Sequence, residues 1–268
     1  MTIEQKQAVL HWLKQKNYWQ LSELKTYLEV NYDVKFASLQ SYYSLFGEAG
    51  ISWKKTQKSN PRKNPDLVNQ KKNEIEAWLE THREEIETGK LKVFFLDECH
   101  LLWGDVCGYI WGRTDERITI PITNEKQKQT YYGAIDLKTH ELLIQPYQKG
   151  ESQFTIAFLK YLQAQYPQSR IALIWDGASS HRSGEVKSYL DLVNQGLEPK
   201  SWKITLYRFA PNAPEQNPIE DVWLSAKRFV REFYSLCCSF AVVKRLFELA
   251  TERQIFNFSK LSLYGCFS

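Results

Sequence analysis

The sequence predicts an α/β domain, three strands followed by alternating helices and strands, behind a smaller all-α domain. Three observations carry this. Residues 91–96 and 171–175 are short, almost wholly apolar runs, and each is followed by an aspartate, Asp97 and Asp176; strands covered on both faces read this way. Amphipathic helical patterns alternate with the later strand patterns. The first 53 residues hold three short helical patterns.

The chain has 268 residues, 43% of them hydrophobic and 14% aromatic, which supports a large core and excludes a disordered chain. The formal charge of +4 is only mildly basic. The five cysteines are odd in number, with no Cys-x-x-Cys pair and no zinc-finger histidine spacing. Reduced thiols in a cytosol are expected. The polar N-terminus does not read as a signal peptide, and no apolar run could span a bilayer.

In order along the chain, Thr2-Ile3-Glu4-Gln5 predicts a capping box opening a first helix with Val9, Leu10, Trp12 and Leu13. A second helix is expected from Ser22, with Leu24, Tyr27 and Leu28. The third runs over 38–46, with Leu39, Tyr43 and Phe46 inward and Ser38, Gln40, Ser41 and Ser44 outward. Short uncharged side chains on the outer face suit a helix-turn-helix reader in a major groove, and residues 50–53 could begin a wing. A plain three-helix bundle fits equally well. Residues 54–72 hold Lys54, Lys55, Lys58, Arg62, Lys63, Lys71 and Lys72 against the single acid Asp66. A basic linker in that position suits phosphate contact, and an ordinary solvated connector is the alternative. The domains expected are thus 1–53, a linker with a connecting helix over 54–90, and 91–268. One helix is expected over 66–87.

After the strand at 91–97 comes aromatic, glycine-punctuated sequence expected as strand or hairpin, then a brief apolar run at 118–122. Strands are expected at 131–137, 141–145 and 204–209, with helices at 152–166, soon after His181, after the loop at 210–217, and at 240–255. Three prolines, Pro211, Pro214 and Pro218, stiffen that loop. Asn217 is a good N-cap and places Glu220 in the first helical turn, where it would either close a capping box or present a free carboxylate. Acids at strand ends emerge together at one sheet edge. Three converging carboxylates repel one another, and oxygen-only donors favour Mg²⁺ or Mn²⁺ over zinc. Two such ions suit phosphoryl transfer. Glu98 should point to the opposite face from Asp97 by strand alternation, and Asp221 is one helical step away from Glu220.

These residues bring a resemblance into view. Phe95-Leu96-Asp97-Glu98, Trp175-Asp176-Gly177-Ala178-Ser179-Ser180-His181 and Pro214-Glu215-Gln216-Asn217-Pro218-Ile219-Glu220-Asp221-Val222-Trp223 resemble the DDE transposases of the mariner superfamily, in their bacterial insertion-sequence branch. The resemblance implies a ribonuclease H-like, mixed five-stranded sheet preceded by a (winged) helix-turn-helix domain. It implies Asp97, Asp176 and Glu220 as a triad holding two Mg²⁺ or Mn²⁺ ions, and His181 as a contact to substrate phosphate or a local helix-start histidine. Its implied partners are double-stranded DNA, as inverted-repeat ends and target, and a second copy of the chain. Such transposases usually carry two helix-turn-helix units and this sequence shows one, so the expectation is either a split element whose upstream polypeptide supplies the other or a truncated copy. A cytoplasmic, nucleoid-associated location is expected. The alternatives are a nuclease without strand transfer and a DNA-binding remnant without catalysis.

Overall fold

The computed structural model describes residues 1–54, 61–109, 115, 117–176, 183–252, 256 and 259–265. They form two compact units, Met1–Ser59 and Asn60–Ser268.

The first unit is built from α1 (Ile3–Leu13), α2 (Leu21–Tyr32) and α3 (Leu39–Glu48). The Thr2 capping box forms as expected: Gln5 N donates to Thr2 Oγ1 at 3.2 Å and Thr2 N donates to Gln5 Oε1 at 2.7 Å. Val9, Leu13, Leu24, Leu28, Tyr42 and Leu45 make the core. Here the expected inner face of α3 is corrected. Tyr42 and Leu45 are buried, whereas Leu39 and Tyr43 are 47% and 48% exposed. Tyr42 tolerates burial because its hydroxyl accepts from Phe36 N at 2.9 Å. No strand forms among the described residues of this unit; a wing begun at residues 50–53 would run into residues 55–59, which lie outside those described, and Trp53 lies open.

The second unit is a five-stranded mixed sheet between helical layers, ordered β3-β2-β1-β4-β5. The strands are β1 (Leu91–Leu102), β2 (Lys128–Asp136), β3 (Leu142–Tyr147), β4 (Arg170–Trp175) and β5 (Ile204–Arg208). β1, β2 and β3 pair antiparallel, and β1, β4 and β5 pair parallel. Strand alternation sorts the core into two layers. Val93, Phe95, Tyr131, Ile135, Ala172 and Ile174 face one side, covered by α8 (Ile219–Glu232) and α9 (Phe240–Thr251). Phe94, Leu96, Tyr132, Leu173 and Trp175 face the other, covered by α6 (Ser152–Gln165) and α7 (Gly184–Val193).

Three further expectations change. β1 continues five residues beyond Asp97, because β2 pairs with it as far as Leu102↔Lys128. The single helix expected over 66–87 is two, α4 (Pro65–Thr81) and α5 (Arg83–Glu87). The break is at His82, whose backbone leaves helical angles (φ −106°, ψ 13°) while its ring Nδ1 pairs with the Trp78 carbonyl at 2.9 Å. Downstream of β1, residues 103–106 form a 3₁₀ turn and 117–122 form no strand; residues 110–114 lie outside those described.

Candidate active site

The site begins with register. Phe95 of β1 pairs with Ile174 of β4 in parallel. Two residues further along each chain stand Asp97 and Asp176, at the end of β4 where the chain leaves the sheet. Phe95 and Ile174 both face the α8 side, so alternation sends both aspartates toward that side. Glu98 faces the opposite layer, where it hydrogen-bonds the Tyr132 side chain.

Glu220 enters from the first turn of α8, and three contacts determine where that turn lies. Asn217, buried, donates from Nδ2 to the Leu96 carbonyl at 3.1 Å, one residue before Asp97. Gln216 accepts from Ala210 N at 2.9 Å and donates to the Val68 carbonyl of α4 at 3.1 Å. The third contact is steric. Gly133 is the β2 partner of Asp97, and the Trp223 ring lies directly upon it. A Cβ at Gly133 would stand 2.3 Å from Trp223 Cη2 and 3.1 Å from Ile219 Cδ1.

The Asn217 contact has a testable size. Asn217→Ala strands a buried carbonyl on β1, and is expected to lower stability by roughly 1–3 kcal/mol, measured by denaturant unfolding. A capping-box role for Glu220 is not what the backbone shows. The Asn217 amide donates to the Pro214 carbonyl at 2.9 Å, and Asn217 Oδ1 accepts from Ile219 N at 3.4 Å.

Electrostatics tie the three acids together. Burial first, then the charge of Glu220, pushes the Asp97 carboxyl up to about 8; Asp176 and Glu98 add to this, and a hydrogen bond from the Glu98 backbone opposes it. Burial also raises Glu220, with Lys260 and Lys227 lowering it and Asp176 and Asp221 raising it. Lys227 and Lys260 lower Glu220, yet burial and the neighbouring acids still raise both Asp97 and Glu220, so negative charge is not balanced at the site. An oxygen-only donor set of this kind fits a hard divalent cation. Among the described residues, no three Asp, Glu, His or Cys groups already stand in a metal-holding arrangement.

Sequence reasoning missed the cations and the seat. Lys227 pairs with Asp105 at 3.0 Å and donates to the His100 carbonyl at 3.0 Å. It lies about two helical turns after Glu220, a spacing that puts both on one helix face and could have signalled it. Lys260 and Gly133 carry no such local signal.

The other expected contacts fall variously. Ser38 caps α3 by accepting from Gln40 N at 3.2 Å, and Ser44 Oγ donates to the Gln40 carbonyl at 3.0 Å. Ser41 is half-buried, while the Gln40 side chain is exposed beside Leu39 and Tyr43. In the linker, Lys54 and Arg62 are exposed, and Lys63 pairs with Glu215 of the proline loop. Lys55, Lys58 and His181 lie outside the described residues.

Comparison with known proteins agrees with this architecture. No curated protein matches the chain. The fold matches a Mos1 transposase paired-end complex with the left transposon end (16% identity, TM-score 0.53, covering 97% of this chain and 73% of that one). It also matches the Mos1 strand transfer complex (13%, 0.53, 97% and 72%) and a mariner Mos1 paired-end complex with Mg (15%, 0.52, 94% and 80%). Residues 15–75 match the winged helix-turn-helix family model. Residues 92–238, more than half the chain, match the model of the DDE superfamily endonucleases, and the chain belongs to that family.

Proposed function

We propose that this chain is a DNA transposase in which Asp97, Asp176 and Glu220 hold two Mg²⁺ or Mn²⁺ ions. The observation that carries the reading is the convergence of these acids on one side of the sheet, with the Asp97 carboxyl pushed up to about 8 by burial and by Glu220. Bound there, the ions would activate an attacking oxygen and stabilise the leaving one.

The side chains supply placement. Asp97 is held by the Glu98 backbone amide, and a bound divalent cation would favour its ionised form. Asn217 and Trp223 hold the α8 turn that carries Glu220. In the first reaction water attacks phosphorus at the element's end, the P–O3′ bond breaks, and the departing oxygen takes a proton to become a 3′-hydroxyl. In the second, that hydroxyl attacks a target phosphodiester, forming one P–O bond as another breaks. The exchange needs no external energy source. The first unit would bind the element's inverted-repeat ends, with Gln40 on the reading face and the basic linker on phosphates. Two of the matched Mos1 structures are paired-end complexes, which is in keeping with a working dimer here.

The test is cleavage and joining of duplex DNA carrying the element's own ends in Mg²⁺ or Mn²⁺, with Asp176→Asn as control. Metal-dependent joined product, lost by at least roughly 10³-fold in the variant, is expected. Cleavage without joining would leave a nuclease. Binding without either reaction, equal in both proteins, would leave a DNA-binding remnant.

A further inference from the structure

The segment bearing Glu220 is also gripped from beyond the matched endonuclease region, which ends at residue 238. After α9 the chain returns as a short helix, α10 (Ser259–Ser262), and two side chains from this turn reach the Glu220 segment. Tyr264, buried at 4% exposure, donates its hydroxyl to the Gln216 carbonyl at 2.8 Å. Its ring packs on Phe95 of β1, with centroids 4.9 Å apart. Lys260 Nζ pairs with Asp221 Oδ1 at 2.9 Å, with both side chains about three-quarters covered. One contact therefore falls four residues before Glu220 and the other one residue after it. We propose that this C-terminal turn is a clamp that positions Glu220, and that Lys260 and Tyr264 are positioning residues of the site.

The chemistry gives the two contacts different tasks. The Tyr264 bond occupies a carbonyl in the loop just ahead of α8, so the loop cannot drift from β1 without breaking a buried hydrogen bond. Lys260 neutralises Asp221, a fourth carboxylate beside the three. Left unpaired, Asp221 would repel Glu220 and compete with it for a cation. The ion pair thus selects which of two adjacent acids faces the site. Leu261, fully buried in the same core layer as Ile219 and Val222, anchors the turn independently of either polar contact. The fold should therefore survive their removal.

This inference rests on the reading of Glu220 as a metal-holding residue, and the experiment separates the two. Amide hydrogen exchange across residues 219–223 is measured in the metal-free protein, together with the Mn²⁺ concentration giving half-maximal DNA cleavage. Tyr264→Phe removes one hydroxyl, and Lys260→Met keeps the aliphatic stem. Each should speed exchange in the first turn of α8 and raise the half-maximal Mn²⁺ concentration by about three- to tenfold, the scale of one lost hydrogen bond. Exchange in β4 should be unchanged. Asp221→Asn should restore the exchange rate and part of the Mn²⁺ dependence of the Lys260→Met protein, the remainder reflecting the direct effect of Lys260 on Glu220, and Lys260→Arg should behave as the unchanged chain. Unaltered exchange and metal dependence in both single variants would overturn the clamp while leaving the site reading intact. An unchanged chain that shows no metal-dependent cleavage would remove the site reading and the clamp with it.

Discussion

Gly133→Ala is expected to unseat α8 and cripple the site, although the glycine touches no substrate. The added methyl would lie 2.3 Å from Trp223 Cη2 and 2.7 Å from Cζ2. Trp223 cannot yield cheaply. It is buried, its ring stacks on Phe247 at 6.2 Å between centroids, and Ile219 crowds the same spot. Overpacking of this kind costs about 1–3 kcal/mol, which in a domain of this size lowers the melting temperature by roughly 2–12 °C. The functional loss should be larger. Trp223 is one turn from Glu220, and displacement of a reacting group by about 1 Å can cost on the order of 10²-fold in rate. Trp223→Phe removes the two ring atoms that clash, so the Gly133→Ala/Trp223→Phe protein should recover part of both losses. A Gly133→Ala protein that melts and cleaves like its parent would show that α8 is not seated as described.

Asp97→Asn should have the opposite signature: activity lost, stability gained. The Asp97 carboxyl ordinarily titrates at 3.8 and is pushed up to about 8 in the folded chain by burial and then by Glu220. Between those values the folded protein retains a proton that the unfolded chain has released. Stability of the metal-free protein therefore falls as pH rises through this window, by up to about 1.4 kcal/mol per pH unit. A divalent cation takes the proton's place and reverses the loss. Asparagine carries no titrating proton, so thermal melts of the metal-free variant should be flatter between pH 5 and 8, should lie above the parent at pH 8, and should gain less from Mg²⁺. DNA cleavage should fall by roughly 10³-fold or more. Parallel melting curves for the two proteins across that range would contradict the account.

How much of this was legible beforehand follows from the range of each interaction. β4 and the first half of β1 announced themselves because strands buried on both faces are apolar throughout. The aspartates that follow these apolar runs, Asp97 within β1 and Asp176 just after β4, and the Asn217-Pro218-Ile219-Glu220 turn are local patterns too, and the structure brings all three acids to one side of the sheet. The rest depends on partners distant in sequence. The second half of β1, Asp97-Glu98-Cys99-His100-Leu101-Leu102, interrupts the apolar run with polar residues, and it persists because β2 pairs with it. On α3 Leu39 and Tyr43 fit the inner stripe as regularly as Tyr42 and Leu45 do, and of the expected stripe only Phe46 packs against the core; what favours Tyr42 is the Phe36 amide waiting for its hydroxyl. Gly133 looks like any strand glycine until Trp223 arrives from ninety residues away. Lys260 and Tyr264 act across a fold that brings the end of the chain back to its proline loop.

The central claim is that Asp97, Asp176 and Glu220 together hold divalent cations. Equilibrium binding of Mn²⁺, followed by loss of the free-ion electron paramagnetic resonance signal, tests it most directly. The account predicts two ions per chain in the presence of duplex DNA, with binding that strengthens as pH rises toward 8 and is abolished by Asp97→Asn and by Glu220→Gln. Mn²⁺ binding with the same stoichiometry and pH dependence in both variants would contradict it.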